Sequence, residues 1–219
     1  MLFGIDVSHY QEEIDWKRVE ASGVKFALLK ASEGSDFVDP MFEEYMSGIA
    51  QTHIVAGTYH FYLPSLDPVK QAAHYVETLQ EFGNGQACLP PAIDLETAGA
   101  SKTVMNSGVR AFLEEVKCLS GVSGMIYTSP GFWGTYLPAP TLVQNRLRGS
   151  DVDWAEAYPL WLAHYTSGWP SPVYPWAGWT FWQYSSNGKV SGVPVRTDLN
   201  LFNGSLCELQ ALCREVQRG

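Results

Sequence analysis

The chain has 219 residues, 46% of them hydrophobic, enough to bury one sizeable core, and a single domain over 1–219 is expected. Its formal net charge is −9, with only 14 Lys and Arg scattered along it, so no basic stripe exists to neutralise phosphates and nucleic acid is not an expected partner. No apolar run approaches the roughly 20 residues of a membrane span, and Met1 leads into Leu2-Phe3-Gly4-Ile5-Asp6 without a basic region or cleavage site, so neither membrane insertion nor an export signal is expected.

Apolar segments and helical patterns alternate through the first two-thirds. Residues 2–7 read as a buried strand, 14–21 as a helix and 24–30 as a second strand. A helix over 40–50 opens on Asp39-Pro40, a strand follows over 54–61, and Asp67-Pro68 opens a helix over 68–82. Next come a strand over 92–96, a helix over 104–119, a strand over 125–128 and a short helix after Ser129-Pro130. The last third changes character: 160–165, 179–184 and 195–200 look like strands, but Gly, Ser, Pro and Trp fill the intervals. Eight strands and about five helices result. The fold class is α/β, and a TIM-like (β/α)5(β)3 barrel accounts for this count better than an open sheet, although periodicity alone does not separate the two.

Cys88, Cys118, Cys207 and Cys213 form no CxxC pair and no His-rich cluster, so zinc is not expected and the four read as free thiols. Cys207 and Cys213 are the two that a C-terminal helix could bring near each other. Eight Trp and 13% aromatic residues fit either of two uses, packing of barrel and helices or a groove that stacks on sugar rings.

The chemistry concentrates in Ala92-Ile93-Asp94-Leu95-Glu96. Strand alternation puts Asp94 and Glu96 on one face, with Cα atoms about 6.6 Å apart, and side-chain rotation can bring the carboxyls into the range of two-carboxylate glycosidases. Like charges that close raise one pKa, leaving one acid protonated and the other ionised. Asp6 has the same logic, sharing a face with Leu2 and Gly4. Lys30, His60, Tyr127, Trp161, Gln183 and Asp198 also finish strands, and in a barrel of this kind those ends face the active site. His60 is the histidine best placed to reach it. Four acids without a nucleophilic Ser or Cys suit acid-catalysed cleavage of an acetal. A divalent cation held by Asp6, Asp94, Glu96 and Asp198 is the competing reading, weakened by the lack of a phosphate-cradling Gly-rich loop or a basic clamp.

With these residues assembled, the sequence resembles the glycoside hydrolase family 25 lysozymes, the Chalaropsis-type muramidases. The marks run in order: Gly4-Ile5-Asp6-Val7-Ser8-His9-Tyr10-Gln11, Ile14-Asp15-Trp16, Phe26-Ala27-Leu28-Leu29-Lys30-Ala31-Ser32-Glu33-Gly34, Gly57-Thr58-Tyr59-His60-Phe61-Tyr62 and Ile93-Asp94-Leu95-Glu96. Ile126-Tyr127-Thr128, Leu160-Trp161-Leu162-Ala163, Phe181-Trp182-Gln183-Tyr184 and Asp198-Leu199-Asn200-Leu201-Phe202-Asn203-Gly204 complete the series. Thr197 departs from the apolar residue usual before Asp198. Residues 137–153 fit no motif of the family, and the loop over 167–176 is individual.

The resemblance implies a flattened eight-stranded barrel that hydrolyses the β-1,4 bond between N-acetylmuramic acid and N-acetylglucosamine of bacterial peptidoglycan, without cofactor or metal. It implies Glu96 as general acid and base, Asp94 as partner carboxylate, and Asp6 and Asp198 as supporting acids. Asp94 either attacks the anomeric carbon or orients the substrate's own 2-acetamido group; the acetamido-bearing substrate favours the second route. Tyr62, Tyr127, Trp161 and Gln183 are the candidate sugar contacts. A monomer without an appended wall-binding module is expected, acting on the cell wall from outside or through phage-mediated host lysis. A non-catalytic peptidoglycan- or chitin-binding barrel is the alternative, since fold does not fix function.

Overall fold

The computed structural model describes residues 1–83, 85–137, 142–143, 146–147 and 152–216. In chain order the elements are β1 (Leu2–Val7), α1 (Trp16–Ala21), β2 (Phe26–Glu33), β3 (Phe37–Val38), α2 (Phe42–Ile49), β4 (Val55–Phe61), α3 (Pro68–Phe82) and β5 (Ala92–Leu95). They continue with α4 (Lys102–Ser120), β6 (Met125–Thr128), α5 (Pro130–Tyr136), the short strands β7 (Leu142–Val143) and β8 (Arg146–Leu147), β9 (Leu160–Ala163), β10 (Phe181–Gly188), β11 (Thr197–Phe202) and α6 (Leu206–Val216). Most of the stretch 137–153, which matches no motif, lies outside the described residues.

Eight strands close a barrel. β1, β2, β4, β5, β6, β9 and β10 pair in parallel in that order, and β11 completes the ring antiparallel to both β10 and β1. β3 adds a ninth strand on the outer edge of β2. The reversal at β11 follows from its connection: parallel neighbours need a crossover of a dozen or more residues, whereas residues 189–196 return directly from β10.

Strand alternation divides the core in two. Phe26, Leu28, Tyr59, Ala92, Met125, Tyr127, Trp161, Phe181 and Phe202 fill the barrel interior. Ile5, Val7, Ala27, Leu29, Ile93, Leu95, Ile126, Leu160 and Leu162 point outward, into a layer completed by α1 to α5. Gly4 is part of this arrangement: a methyl group there would overlap the Phe26 ring. Asp67 and Pro68 start α3 as expected, Asp67 accepting from the amides of Val69 and Lys70. At α2 the expectation shifts. The helix begins at Phe42; Asp39 accepts from His9 N and is bonded to His9 Nδ1 through one oxygen, while its other oxygen takes the amide of Met41 in the turn before the helix.

The C-terminal helix, α6, packs Leu209 and Cys213 against the barrel interior, at the end where β2 and β4 begin. The cysteines correct the sequence reading. Cys88 and Cys213 are joined in a disulfide, and Cys118 and Cys207 are free and exposed. Cys207 and Cys213 lie six residues apart on α6, about 240° around a helix, so they cannot face each other. Cys213 sits on the same side as Leu209, four residues earlier, and meets the segment entering β5. Because the bridge closes a sequence separation of 125 residues, Cys213→Ser is expected to cost about 2–5 kcal/mol of unfolding free energy. Denaturant titration under non-reducing conditions checks this; an unshifted midpoint would show that α6 holds without its tether.

Candidate active site

The carboxyl ends of the parallel strands open into a cleft of about 260 Å³. Asp6, Lys30, Tyr59, Phe61, Asp94, Glu96, Tyr127, Trp161, Tyr165, Gln183 and Asp198 all contribute to its wall. Each acid arrives by alternation. Asp6 continues the inward face of Gly4, Asp94 that of Ala92, and Asp198 lies opposite Asp6 where β11 pairs with β1. Glu96 falls one residue past β5, so its side chain is solvent-exposed while Asp94, two residues back, is buried.

A buried network fixes Asp6. Gln183 Nε2 donates to both of its oxygens, at 2.9 and 3.1 Å, and Asn200 Nδ2 donates to Oδ1 at 2.6 Å. The other ends of these amides are occupied too. Gln183 Oε1 accepts the hydroxyls of Tyr127 and Tyr165, at 3.0 and 2.8 Å, and Asn200 Oδ1 accepts Trp161 Nε1 at 2.8 Å. Thr197 Oγ1 donates to the Asp6 backbone carbonyl, which gives the polar residue before Asp198 its use. With every amide end engaged, the network is rigid and the Asp6 carboxylate is surrounded by donors.

Asp94 is held differently. Its backbone carbonyl accepts the amide of Tyr62, but its Oδ1 is buried without a hydrogen-bond partner. A buried, unpaired carboxyl oxygen is costly, and such an atom at the wall of a cleft is ready for a donor brought by a ligand.

The acids act on one another. Burial pushes the Asp94 carboxyl well above the usual carboxylate range, Glu96 and Asp6 add to this, and the Lys30 ammonium opposes it. Burial likewise raises Asp6, helped by Asp198 and opposed by hydrogen bonds from Gln183 and Asn200. Glu96, though exposed at the cleft mouth, is partly desolvated by the cleft walls, which raises it, and Lys30 pulls it back. Asp198 is pushed up to about 6, by burial first and by Glu96 second. The cluster can therefore hold protons near neutral pH, which general acid catalysis requires.

It also carries a stability cost. A carboxyl whose pKa is higher in the folded chain favours folding below its unfolded value and loses that advantage as pH rises through its folded value. For Asp198 the window runs from its ordinary 3.8 up to about 6. Asp198→Asn is expected to raise the thermal midpoint at about pH 7 and to flatten its fall across that window. A variant whose midpoint falls as steeply as that of the parent chain would contradict the assignment.

Of the residues singled out from the sequence, Asp6, Asp94, Glu96, Asp198, Tyr127, Trp161 and Gln183 gather at this one cleft. Trp161 and Gln183 are buried beneath its surface with their polar ends engaged in the network. Tyr62 does not join them: it is buried outside the barrel, edge-on to Phe112 and against Gly108 of α4. His60 is also outside, bonded to Ser32 Oγ at 2.8 Å and packed on Tyr75 and Phe112, and burial lowers its pKa to about 3. Tyr165, Tyr10, Phe61 and Asn200 belong to the site or its supports and were not singled out. Tyr165 and Asn200 had a signal, each continuing the inward alternation of its strand, from Trp161 and from Asp198. Among the described residues no group of His, Cys, Asp and Glu forms a metal centre, and no helix is long and apolar enough to cross a membrane.

Comparison with known proteins gives this geometry a context. Residues 5–193 match the model of the glycosyl hydrolases family 25. Asp198 lies beyond the matched span, so its place in the site rests on the β1–β11 pairing. Lysozyme M1 of Streptomyces globisporus is 32% identical over 97% of this chain and 71% of its own length. The crystal structure of a bacterial lysozyme from Streptomyces coelicolor superposes with a TM-score of 0.85 at 30% identity, covering 98% of both chains. A muramidase from Acremonium alcalophilum superposes at 0.80 with 27% identity, covering 97% of this chain and 99% of that one. On the match and the barrel together, the chain belongs to glycosyl hydrolases family 25 and is a glycoside hydrolase of the lysozyme type.

Proposed function

We propose that the chain cleaves bacterial peptidoglycan at the β-1,4 bond between N-acetylmuramic acid and N-acetylglucosamine, with retention of configuration and with the substrate's own acetamido group as nucleophile. The observation that carries this reading is the contrast within one pair: Glu96 open to the cleft, Asp94 buried two residues away with an unpartnered Oδ1. In the first step Glu96 gives its proton to the glycosidic oxygen as the C1–O bond breaks, and the acetamido oxygen closes onto C1 to form an oxazolinium ring. The Asp94 carboxylate accepts the acetamido N–H through the free Oδ1 and opposes the positive charge that develops there. In the second step Glu96, now ionised, takes a proton from water as its oxygen attacks C1 and the ring opens.

Asp6 and Asp198 act as supporting acids in this scheme, Asp6 fixed by the Gln183–Asn200 network and Asp198 exchanging protons at the cleft edge. Tyr127 and Tyr165 present ring surface at the wall, suited to sugar contacts. Trp161 and Gln183 act from beneath, as supports of Asp6, and Tyr62 has no part in sugar binding. The chain acts as a monomeric catalytic domain on the cell wall and uses no cofactor.

Product analysis tests the reading. After digestion of purified peptidoglycan and borohydride reduction, mass spectrometry is expected to find reduced muramic acid at the new ends. Reduced glucosamine at those ends would point to the opposite linkage. Binding to insoluble wall with no new reducing ends would replace catalysis with the scaffold alternative.

A further inference from the structure

The geometry points to Lys30 as a positioning residue for the Asp94–Glu96 pair: a buried ammonium, clamped by Glu33 and two aromatic rings, that keeps one carboxylate of the pair ionised in front of the substrate. The inference rests on the reading of Asp94 and Glu96 as the reacting pair.

Lys30 follows Phe26 and Leu28 on the inward face of β2 and is 7% exposed. Its ammonium lies 2.6 Å from Glu33 Oε2, 4.7 Å from the centre of the Phe61 ring and 5.6 Å from that of Phe37. Residues three apart on a regular strand point to opposite faces, so this ion pair needs a defect. The strand supplies one. Lys30 pairs with Tyr59 of β4 but Ser32 pairs with His60, and the extra residue turns Glu33, opposite Phe61, back to the side of Lys30.

Burying an ammonium is unfavourable unless it is paired, and a strand built only for stability would put an apolar residue at this position. The cleft gives the charge a use. Among the described residues lining it, Lys30 is the one cation, against Asp6 on β1, Asp94 and Glu96 at β5 and Asp198 on β11. Glu33 on its own strand, Tyr10 after β1, Tyr59 on β4, Tyr127 on β6 and Tyr165 after β9 are the other titratable groups around it, with His60 on the far face of β4. The Lys30 charge acts downward on both Asp94 and Glu96, opposing the burial that raises them. Its removal would raise both acids further, and a neutral Asp94 cannot oppose oxazolinium charge. Glu33 and the two rings hold the ammonium in one place, so its field on the pair is fixed before substrate arrives.

The test is a carboxyl ¹³C NMR titration of protein labelled at Asp and Glu, comparing wild type with Lys30→Met and Lys30→Arg. In Lys30→Met the midpoints of Asp94 and Glu96 are expected to rise by about one unit or more, and Lys30→Arg, which keeps the charge, should return them toward wild type. The acidic limb of the kcat profile should move in the same direction while KM stays nearly constant. If Lys30→Met does not fold, Lys30→Gln provides the neutral side chain in its place. Midpoints for Asp94 and Glu96 that match wild type in the neutral variant would overturn the role. The titration needs no turnover, so failure of this inference is distinguishable from failure of the proposed activity, which the product analysis reports.

Discussion

Glu96→Gln is expected to lower the rate of peptidoglycan solubilisation by about 10²- to 10⁴-fold, the usual contribution of a positioned acid and base. The amide keeps the shape of the side chain but cannot give a proton to the leaving oxygen or take one from water. Because Glu96 is exposed one residue past β5, the substitution disturbs no packing, and the thermal midpoint should stay level or rise as a raised carboxyl is removed from a crowded acidic site. The comparison of lysis rate with midpoint separates loss of chemistry from loss of fold. A folded Glu96→Gln that retains the parental rate would remove Glu96 from its role.

The second large effect concerns Asp94. Asp94→Asn keeps an oxygen that can accept the acetamido N–H but removes the charge, so kcat should fall by about 10²- to 10³-fold with a much smaller change in KM. This pattern marks an interaction made mainly in the transition state. The variant should also be more stable than its parent near neutral pH, since Asp94 is buried and raised well above its ordinary value. Trapping addresses the other route. A fluorosugar substrate that leaves a covalent adduct on Asp94 would make that residue the nucleophile and displace the acetamido group from the mechanism.

Much of this site is legible in the sequence because period-two alternation is a strong rule inside a closed barrel. Asp6 in phase with Gly4, and Glu96 in phase with Asp94, follow from strands that carry apolar residues on their other face. The same rule, applied strictly, places Tyr62 and His60 outside, since both are out of phase with Gly57, Tyr59 and Phe61. The strand end singles out His60, and the family motif Tyr62, without regard to that phase. Asn200 shares the face of Asp198 but carries no charge to mark it, although its amide is what joins Trp161 to Asp6.

Other parts follow from interactions that a local reading cannot reach. The Lys30–Glu33 pair depends on a one-residue slip between β2 and β4, which regular alternation hides. The Cys88–Cys213 bridge joins segments 125 residues apart, and neither cysteine lies in a spacing that names its partner. The helix α6 had a signal. Ser205 and Glu208 form a reciprocal cap, the serine amide donating to Glu208 Oε2 at 2.7 Å and the Glu208 amide to Ser205 Oγ at 3.3 Å, and Ser-x-x-Glu before an apolar run is a readable helix start. Of the strand boundaries, those of β1 and β6 coincide with the expected 2–7 and 125–128. β2 and β10 end later than the expected 30 and 184, each past a register slip against its neighbour.

An exposed acid and a buried carboxylate divide one reaction between them, and the configuration of the first product reports this division directly. Proton NMR of the reducing end released at early times, before mutarotation, should show the β anomer, because an acetamido oxygen closing onto C1 and a water that then opens the ring together give net retention. Appearance of the α anomer first would mean that water attacks from the opposite face in a single displacement, and would contradict the assignment of Glu96 as both acid and base.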